Sequence, residues 1–237
     1  VTRSAGVYTS HIGNNADLIL DVCSLYLNPG DKVADVTYGR GVFWRNVDLR
    51  TIDFHPSDKL TCKSTPYDFC HLPYEDQSFD IVVFDPPYVH NPGAMMVDAR
   101  YRNAETTRGM YHDDIIELYR LGMTEARRIL KVGGLLWVKC KDEVESSVQR
   151  WSHIEIALMA WRLNLYALDL FVLTQNSKPV IQHNQKHARK NHSFLWIFRV
   201  VASSDDKISE QTALSRRNDF GVAVADRNSL RAERGSS

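Results

Sequence analysis

No run in the 237 residues approaches the roughly 18 consecutive apolar positions of a membrane-spanning helix, and the N-terminus lacks the charged-then-apolar pattern of a secretory signal. Cysteine is scarce: Cys23, Cys62, Cys70 and Cys140 show no paired metal-ligand spacing, so reduced and mostly packed thiols are expected, with no zinc site. His183, His187 and His192 lie close together without a common metal spacing or neighbouring carboxylates, so no metal is expected there either. Net charge is zero, yet the charges are segregated. Acids dominate residues 1–98 and bases dominate residues 99–237, leaving the two parts at −6 and +6. An acidic half suits a cationic cofactor and a basic half a polyanion. What remains is a soluble, cytoplasmic chain whose 43% hydrophobic content supports one substantial core, as an α/β domain of this length requires.

The periodicities place elements in order. Residues 14–27 set Leu18, Val22 and Leu25 on one helical face behind Asn14 or Asn15 as cap, and Asn28-Pro29-Gly30 ends the helix. From Lys32 a strand runs through Asp35 into Thr37-Tyr38-Gly39-Arg40-Gly41, where two residues without side chains let a ligand approach the backbone. Leu49 to Asp53 reads as a second strand ending in an acid at the offset expected for gripping ribose hydroxyls, or for capping a following helix; Phe54 would lie against an adenine or in the core. A helix over 113–130 with Asp113 as cap, a strand over 135–139 and a helix over 143–163 follow. Strands at 166–173 and 193–200 form an antiparallel closing pair. The basic, polar connection between them, carrying Lys186, Arg189 and Lys190, suits phosphate. Beyond 201, polar and charged residues dominate, so residues 202–237 read as a loosely attached tail on a catalytic domain of residues 1–201.

One stretch carries the chemistry. Ile81 to Phe84 is a continuous apolar run, as in a strand buried on both faces, and it stops at Asp85-Pro86-Pro87-Tyr88. The acid falls at the strand's carboxyl end, where open α/β sheets place their ligands. Two prolines cannot extend the ladder and hold the path rigid, so the Asp85 carboxylate and the Pro86 carbonyl become fixed acceptors beside the Tyr88 ring. Adjacent acceptors next to a flat ring suit a flat substrate bearing an amino group, which describes a nucleobase. Residues 89–112 then form a long irregular segment whose Arg100, Arg102 and Arg108 are placed to meet phosphates. Lys139 ends a neighbouring strand on the same edge, as an anchor for phosphate or for a nearby carboxylate.

Asp-Pro-Pro-Tyr at 85–88 resembles the catalytic signature of S-adenosylmethionine-dependent DNA amino-methyltransferases, which methylate N6 of adenine or N4 of cytosine. Asp35 followed by Gly39 and Gly41 resembles the family's cofactor loop. Tyr67-Asp68-Phe69, then Leu72-Pro73 and Phe79-Asp80, resembles its third motif. The chain departs from the family where Val36-Thr37 replaces Pro-Phe, with Tyr38 as a substitute. The resemblance implies a Rossmann-like class I methyltransferase sandwich, a mostly parallel seven-stranded sheet with an antiparallel closing strand. It further implies S-adenosylmethionine bound by Asp35, Thr37, Tyr38, Gly39, Gly41, Asp53, Phe54, Asp68 and Phe69, with Asp68 on the adenine amino group. Catalysis would fall to Asp85, Pro86, Pro87 and Tyr88 acting on a flipped-out base, most simply adenine N6 in DNA. No separate target-recognition domain fits, so short or relaxed sequence choice is expected. Cytosine N4, RNA, or a non-catalytic nucleic-acid-binding protein keeping the fold are the alternatives.

Overall fold

A computed structural model describes residues 6–88, 110–174, 187, 188 and 190–202. Seven strands form one sheet in the order β1-β8-β9-β5-β4-β2-β3. They are β1 (Ser10–Ile12), β2 (Lys32–Asp35), β3 (Asp53–Pro56), β4 (Phe79–Phe84), β5 (Leu130–Cys140), β8 (Leu165–Thr174) and β9 (His192–Val200). Only β9 runs antiparallel to its neighbours β5 and β8; every other pairing is parallel. This is the expected α/β sandwich, with the N-terminal β1 supplying an outer strand.

Helices cover both faces. On one side α1 (Asn15–Tyr26) buries Leu18, Ile19 and Val22 against Val33, Ile81, Val83 and Trp137, and the Asn14 side chain caps it by accepting the Asp17 amide at 3.1 Å. On the other, α2 (His112–Ile129) buries Ile115, Tyr119, Met123 and Ala126, spaced three or four apart, against Phe84, Leu136 and Val138. Cβ positions alternate along β4, so Ile81 and Val83 meet one helical layer while Val82 and Phe84 meet the other. That is why the run before Asp85 is apolar without interruption.

Three expectations need correction. Leu49–Thr51 is a single 3-10 turn whose Asp48 side chain accepts the Arg50 amide, and the strand begins only at Asp53. The helix expected over 143–163 is a hairpin followed by a shorter helix: β6 (Glu143–Glu145) and β7 (Val148–Arg150), then α3 (Ser152–Arg162). The two-residue turn at Ser146 and Ser147 takes φ of +48° and +66°, the mirror-image geometry a tight hairpin needs, without the Asn-Gly that usually announces it. Finally, β5 starts at Leu130 rather than Leu135, with Gly133 at φ +83° and a register shift against β4 between Phe79 and Ile81.

Candidate active site

The strand order reverses between β2 and β4, and the acids converge on the carboxyl edge at that point. β2 ends at Asp35, which is 3% exposed. Its Oδ1 accepts the Thr37 amide at 3.0 Å and its Oδ2 accepts the Trp44 indole N–H at 2.6 Å. Burial pushes this carboxyl up to about 7; the two hydrogen bonds oppose the shift, and the nearby Asp85 and Asp58 add to it. Asp35 therefore shapes the glycine turn from beneath.

A consequence is measurable as stability. A free aspartate titrates near 4, whereas folded Asp35 titrates near 7. Between those values the folded state holds more protons than the unfolded one, so stability falls as pH rises from 4 to 7. Asp35→Asn is expected to flatten that fall, by on the order of a few kcal/mol. Thermal melts of both proteins at pH 5 and pH 8 check it; parallel pH dependences would exclude Asp35 as the source.

Above Asp35, Gly39 and Gly41 take φ of +55° and +67°. A Cβ on Gly41 would run into the Tyr38 ring, so the glycine lets that ring fold back over the turn. Tyr38 then meets Phe54 edge-on at 5.9 Å, and Phe54 meets Trp44 at 4.8 Å. Tyr38 and Phe54 thus pack on each other and on Trp44 beneath the loop. Thr37 joins the turn to β4: its Oγ1 accepts the Asp85 amide at 2.7 Å.

The corrected β3 moves the expected ribose acid. Asp53 pairs in register with Lys32, at the amino end of the strands, and lies exposed beside His55 at 3.0 Å. Four residues of strand, about 13 Å, separate that end from the carboxyl edge. The acid that does follow β3 there is Asp58, which sequence reasoning missed. Its Oδ2 accepts the Gly39 amide at 3.2 Å, and its Oδ1 accepts the Leu60 and Thr61 amides at 2.9 and 2.8 Å. The signal was present, since Pro56 closes the strand and Asp58 stands two residues on.

Asp68 is tied to the loop that follows β3. Its Oδ2 takes the Lys59 ammonium at 2.6 Å and its Oδ1 the Cys70 amide at 3.0 Å. Phe69 packs edge-on against Phe84 at 5.2 Å, on the α2 side of the sheet.

Asp85 occupies the middle of the edge. Its Oδ1 is enclosed yet has no hydrogen-bond partner among the described residues. Burial pushes the carboxyl up to about 6, with the charge of Lys139 opposing. Pro86 is buried, Pro87 half-buried, and Tyr88 leans on the core that α2 covers. Lys139, the penultimate residue of β5, stands directly beside the end of β4, since Phe84 pairs with Val138. It is 2% exposed, and its ammonium donates to Ser193 Oγ on β9 at 2.6 Å. Its carbonyl accepts the Tyr119 hydroxyl at 2.7 Å. Burial holds the ammonium below the usual lysine range, and Asp85 opposes that shift. A lysine so enclosed is no surface contact for phosphate. Its ammonium is taken up by Ser193 Oγ, and it acts on Asp85 through charge alone.

Beside this edge the hairpin is clamped to the start of α2. His112 is buried between Glu143 and Glu155, at 3.0 and 2.9 Å, and its amide donates to Glu145 at 2.6 Å. Burial works against its protonation, but the two carboxylates prevail and raise its pKa. Of the basic residues expected to meet a polyanion, Lys190 places its ammonium 4.2 Å over the Trp151 ring. Arg100, Arg102, Arg108, Lys186 and Arg189 lie outside the described residues. Among the described residues no cluster of three or more histidines, cysteines and carboxylates could hold a metal, and no helix is long and apolar enough to cross a membrane.

No family model matches the sequence, and no curated protein matches it significantly. Solved structures do match. A presumptive methyltransferase from Bacillus halodurans is 14% identical over 80% of this chain and all of its own, with a TM-score of 0.52. A complex of the Haloferax volcanii Trm112 methyltransferase activator with a presumptive methyltransferase matches at 16% identity over 80% of this chain and 89% of that one, with a TM-score of 0.50. The PvuII cytosine-N4-specific DNA methyltransferase, at 12% identity and a TM-score of 0.43, is covered over only 48% of its length and carries no weight for substrate. At these identities the likeness establishes the fold alone, the Rossmann-like α/β sandwich that these neighbours share.

Proposed function

We propose that this chain transfers a methyl group from S-adenosylmethionine to an exocyclic amino nitrogen of a nucleobase, adenine N6 in DNA, with short or relaxed sequence choice. The observation that carries the proposal is Asp85: an enclosed carboxylate oxygen without a hydrogen-bond partner among the described residues, fixed at the carboxyl end of β4 ahead of two prolines and opposite a glycine turn. An unsatisfied buried acceptor is costly, and an incoming N–H relieves it.

The edge also fits the cofactor. Asp35, Asp58 and Asp85 surround it with acidic groups, which suits a ligand carrying sulfonium and ammonium charges, and Gly39 presents backbone with open space beside it. S-adenosylmethionine supplies an electrophilic methyl group when bound. Asp58, in place of Asp53, would hold the ribose hydroxyls, with the loop from Thr37 to Gly41 framing the remainder. Asp85 and the Pro86 carbonyl accept the two amino hydrogens, aim the nitrogen lone pair and offset the positive charge that grows on nitrogen. Tyr88 stacks on the base, and holding both reactants in line provides much of the acceleration. Incubating the chain with labelled cofactor and either DNA or RNA, followed by nucleoside mass analysis, tests the proposal. Absence of any methylated base overturns it.

Lys139 sets when Asp85 can accept. The carboxylate must be ionised, so the rate should rise as pH increases through about 6. Lys139→Met removes the neighbouring positive charge, and the rising limb should then move to higher pH, while the rate well above it changes far less. Single-turnover rates from pH 5 to 9 check this. An unmoved limb would show that Lys139 acts only as a packing residue.

A further inference from the structure

Helix α3 is apolar on two opposite faces. Its inner face, Ser152, Ile156 and Ala160, is buried against the sheet. At 100° per residue the opposite face is formed by Ile154, Leu158 and Trp161, continued at the N-cap by Trp151. These four are 48%, 58%, 78% and 46% exposed. Helix α2 shows the ordinary pattern by contrast, with Asp113, Asp114, Glu117, Arg120 and Thr124 among the residues it turns outward. An apolar stripe left exposed on a helix whose inner face is already buried marks a contact surface.

The order of the stripe selects the partner. Its spacing is three, four, three, and this reads the same in both directions about the level of Ile156. Such a palindrome allows a two-fold axis to pass at that level: two antiparallel copies of α3 then set Trp151 against the partner's Trp161 and Ile154 against the partner's Leu158. Antiparallel packing also brings opposite ends of the two helix dipoles together. The area agrees. With aromatic side chains of about 150–250 Å², the exposed fractions sum to roughly 500 Å² of apolar surface per chain. Two copies would together bury about 1,000 Å² through these side chains alone, the size at which an interface becomes specific.

We infer that α3 is the centre of a two-fold interface with a second copy of this chain, independent of the reaction proposed above. The two helices pack antiparallel, with tryptophans at both ends of the seam. Sedimentation velocity of the full chain over micromolar to 100 µM concentrations should give a species of twice the 27.2 kDa chain mass. Leu158→Glu and Trp161→Glu change exposed positions, so they should raise the dimer dissociation constant at least tenfold with the circular dichroism spectrum unchanged, and the melting midpoint should lose its dependence on protein concentration. The register has its own test: mixing Ile154→Cys protein with Leu158→Cys protein under mild oxidation should yield a linked dimer above the level of either alone or of wild type. A monomeric mass throughout, a dimer indifferent to both glutamates, or equal cross-linking in the mixed and unmixed samples would each overturn the inference.

Discussion

Asp85→Ala is expected to lower methyl transfer by roughly 10²–10³, the cost of removing one preorganised group that meets developing charge. The loss should fall on the chemical step. Binding of S-adenosylmethionine, measured by calorimetry, should stay within a few-fold, because the proposal puts Asp85 at the amino group and leaves the cofactor to the glycine turn and Asp58. Nor should the variant be less stable. The carboxyl titrates near 6 because burial disfavours its charge, so above pH 6 the ionised group costs stability and its removal relieves that cost. A protein with a melting midpoint at pH 8 equal to or above wild type, but without methylated nucleoside, is the expected pair of results. Asp85→Asn should fall between, since an amide oxygen still accepts one hydrogen bond but carries no charge against the growing positive nitrogen. A wild-type rate in Asp85→Ala would remove this residue, and the reading built on it, from the chemistry.

Asp58→Ala should weaken cofactor binding by about 30-fold, on the order of 2 kcal/mol for losing a charged acceptor, whereas Asp53→Ala should change it less than twofold. The two acids are five residues apart and chemically identical, so the difference isolates position. Asp53 opens β3 at the amino edge beside His55. Asp58 follows the strand's other end and touches the glycine turn through the Gly39 amide. Because Asp58 also accepts the Leu60 and Thr61 amides, Asp58→Asn serves as the milder variant that keeps part of the loop's support. Calorimetric titration of S-adenosylmethionine into the variants reads the outcome. A large loss in Asp53→Ala with none in Asp58→Ala would reverse the assignment.

The contrast between these two acids shows where sequence reading stops. Local pattern was enough for β4 and α1: an uninterrupted apolar run and a capped, four-spaced helix leave little choice of conformation. It was not enough at Leu49–Thr51, where a short apolar stretch suits a strand or a tight turn equally, and Asp48 bonding to Arg50 settled the matter in favour of the turn. Beginning the strand at Asp53 instead of ending it there carried an acid from one edge of the sheet to the other. The hairpin at 143–150 was hidden for a related reason. Glu143 and Glu145 are both buried, Glu143 against His112 from a distant part of the chain and Glu145 against Arg150 across the hairpin.

By itself the sequence determined the alternation of strands and helices, the acid and prolines that end β4, and the glycines after β2. These are local properties, set by hydrophobic periodicity and by the backbone freedom of single residues. Tertiary structure alone decided which acids share an edge, that Lys139 is enclosed beside Asp85 with Ser193 as its hydrogen-bond partner, and that α3 keeps an apolar stripe on its outer side. Register, burial and pairing with residues far along the chain depend on how separate elements pack. No window of sequence shorter than the sheet contains that information.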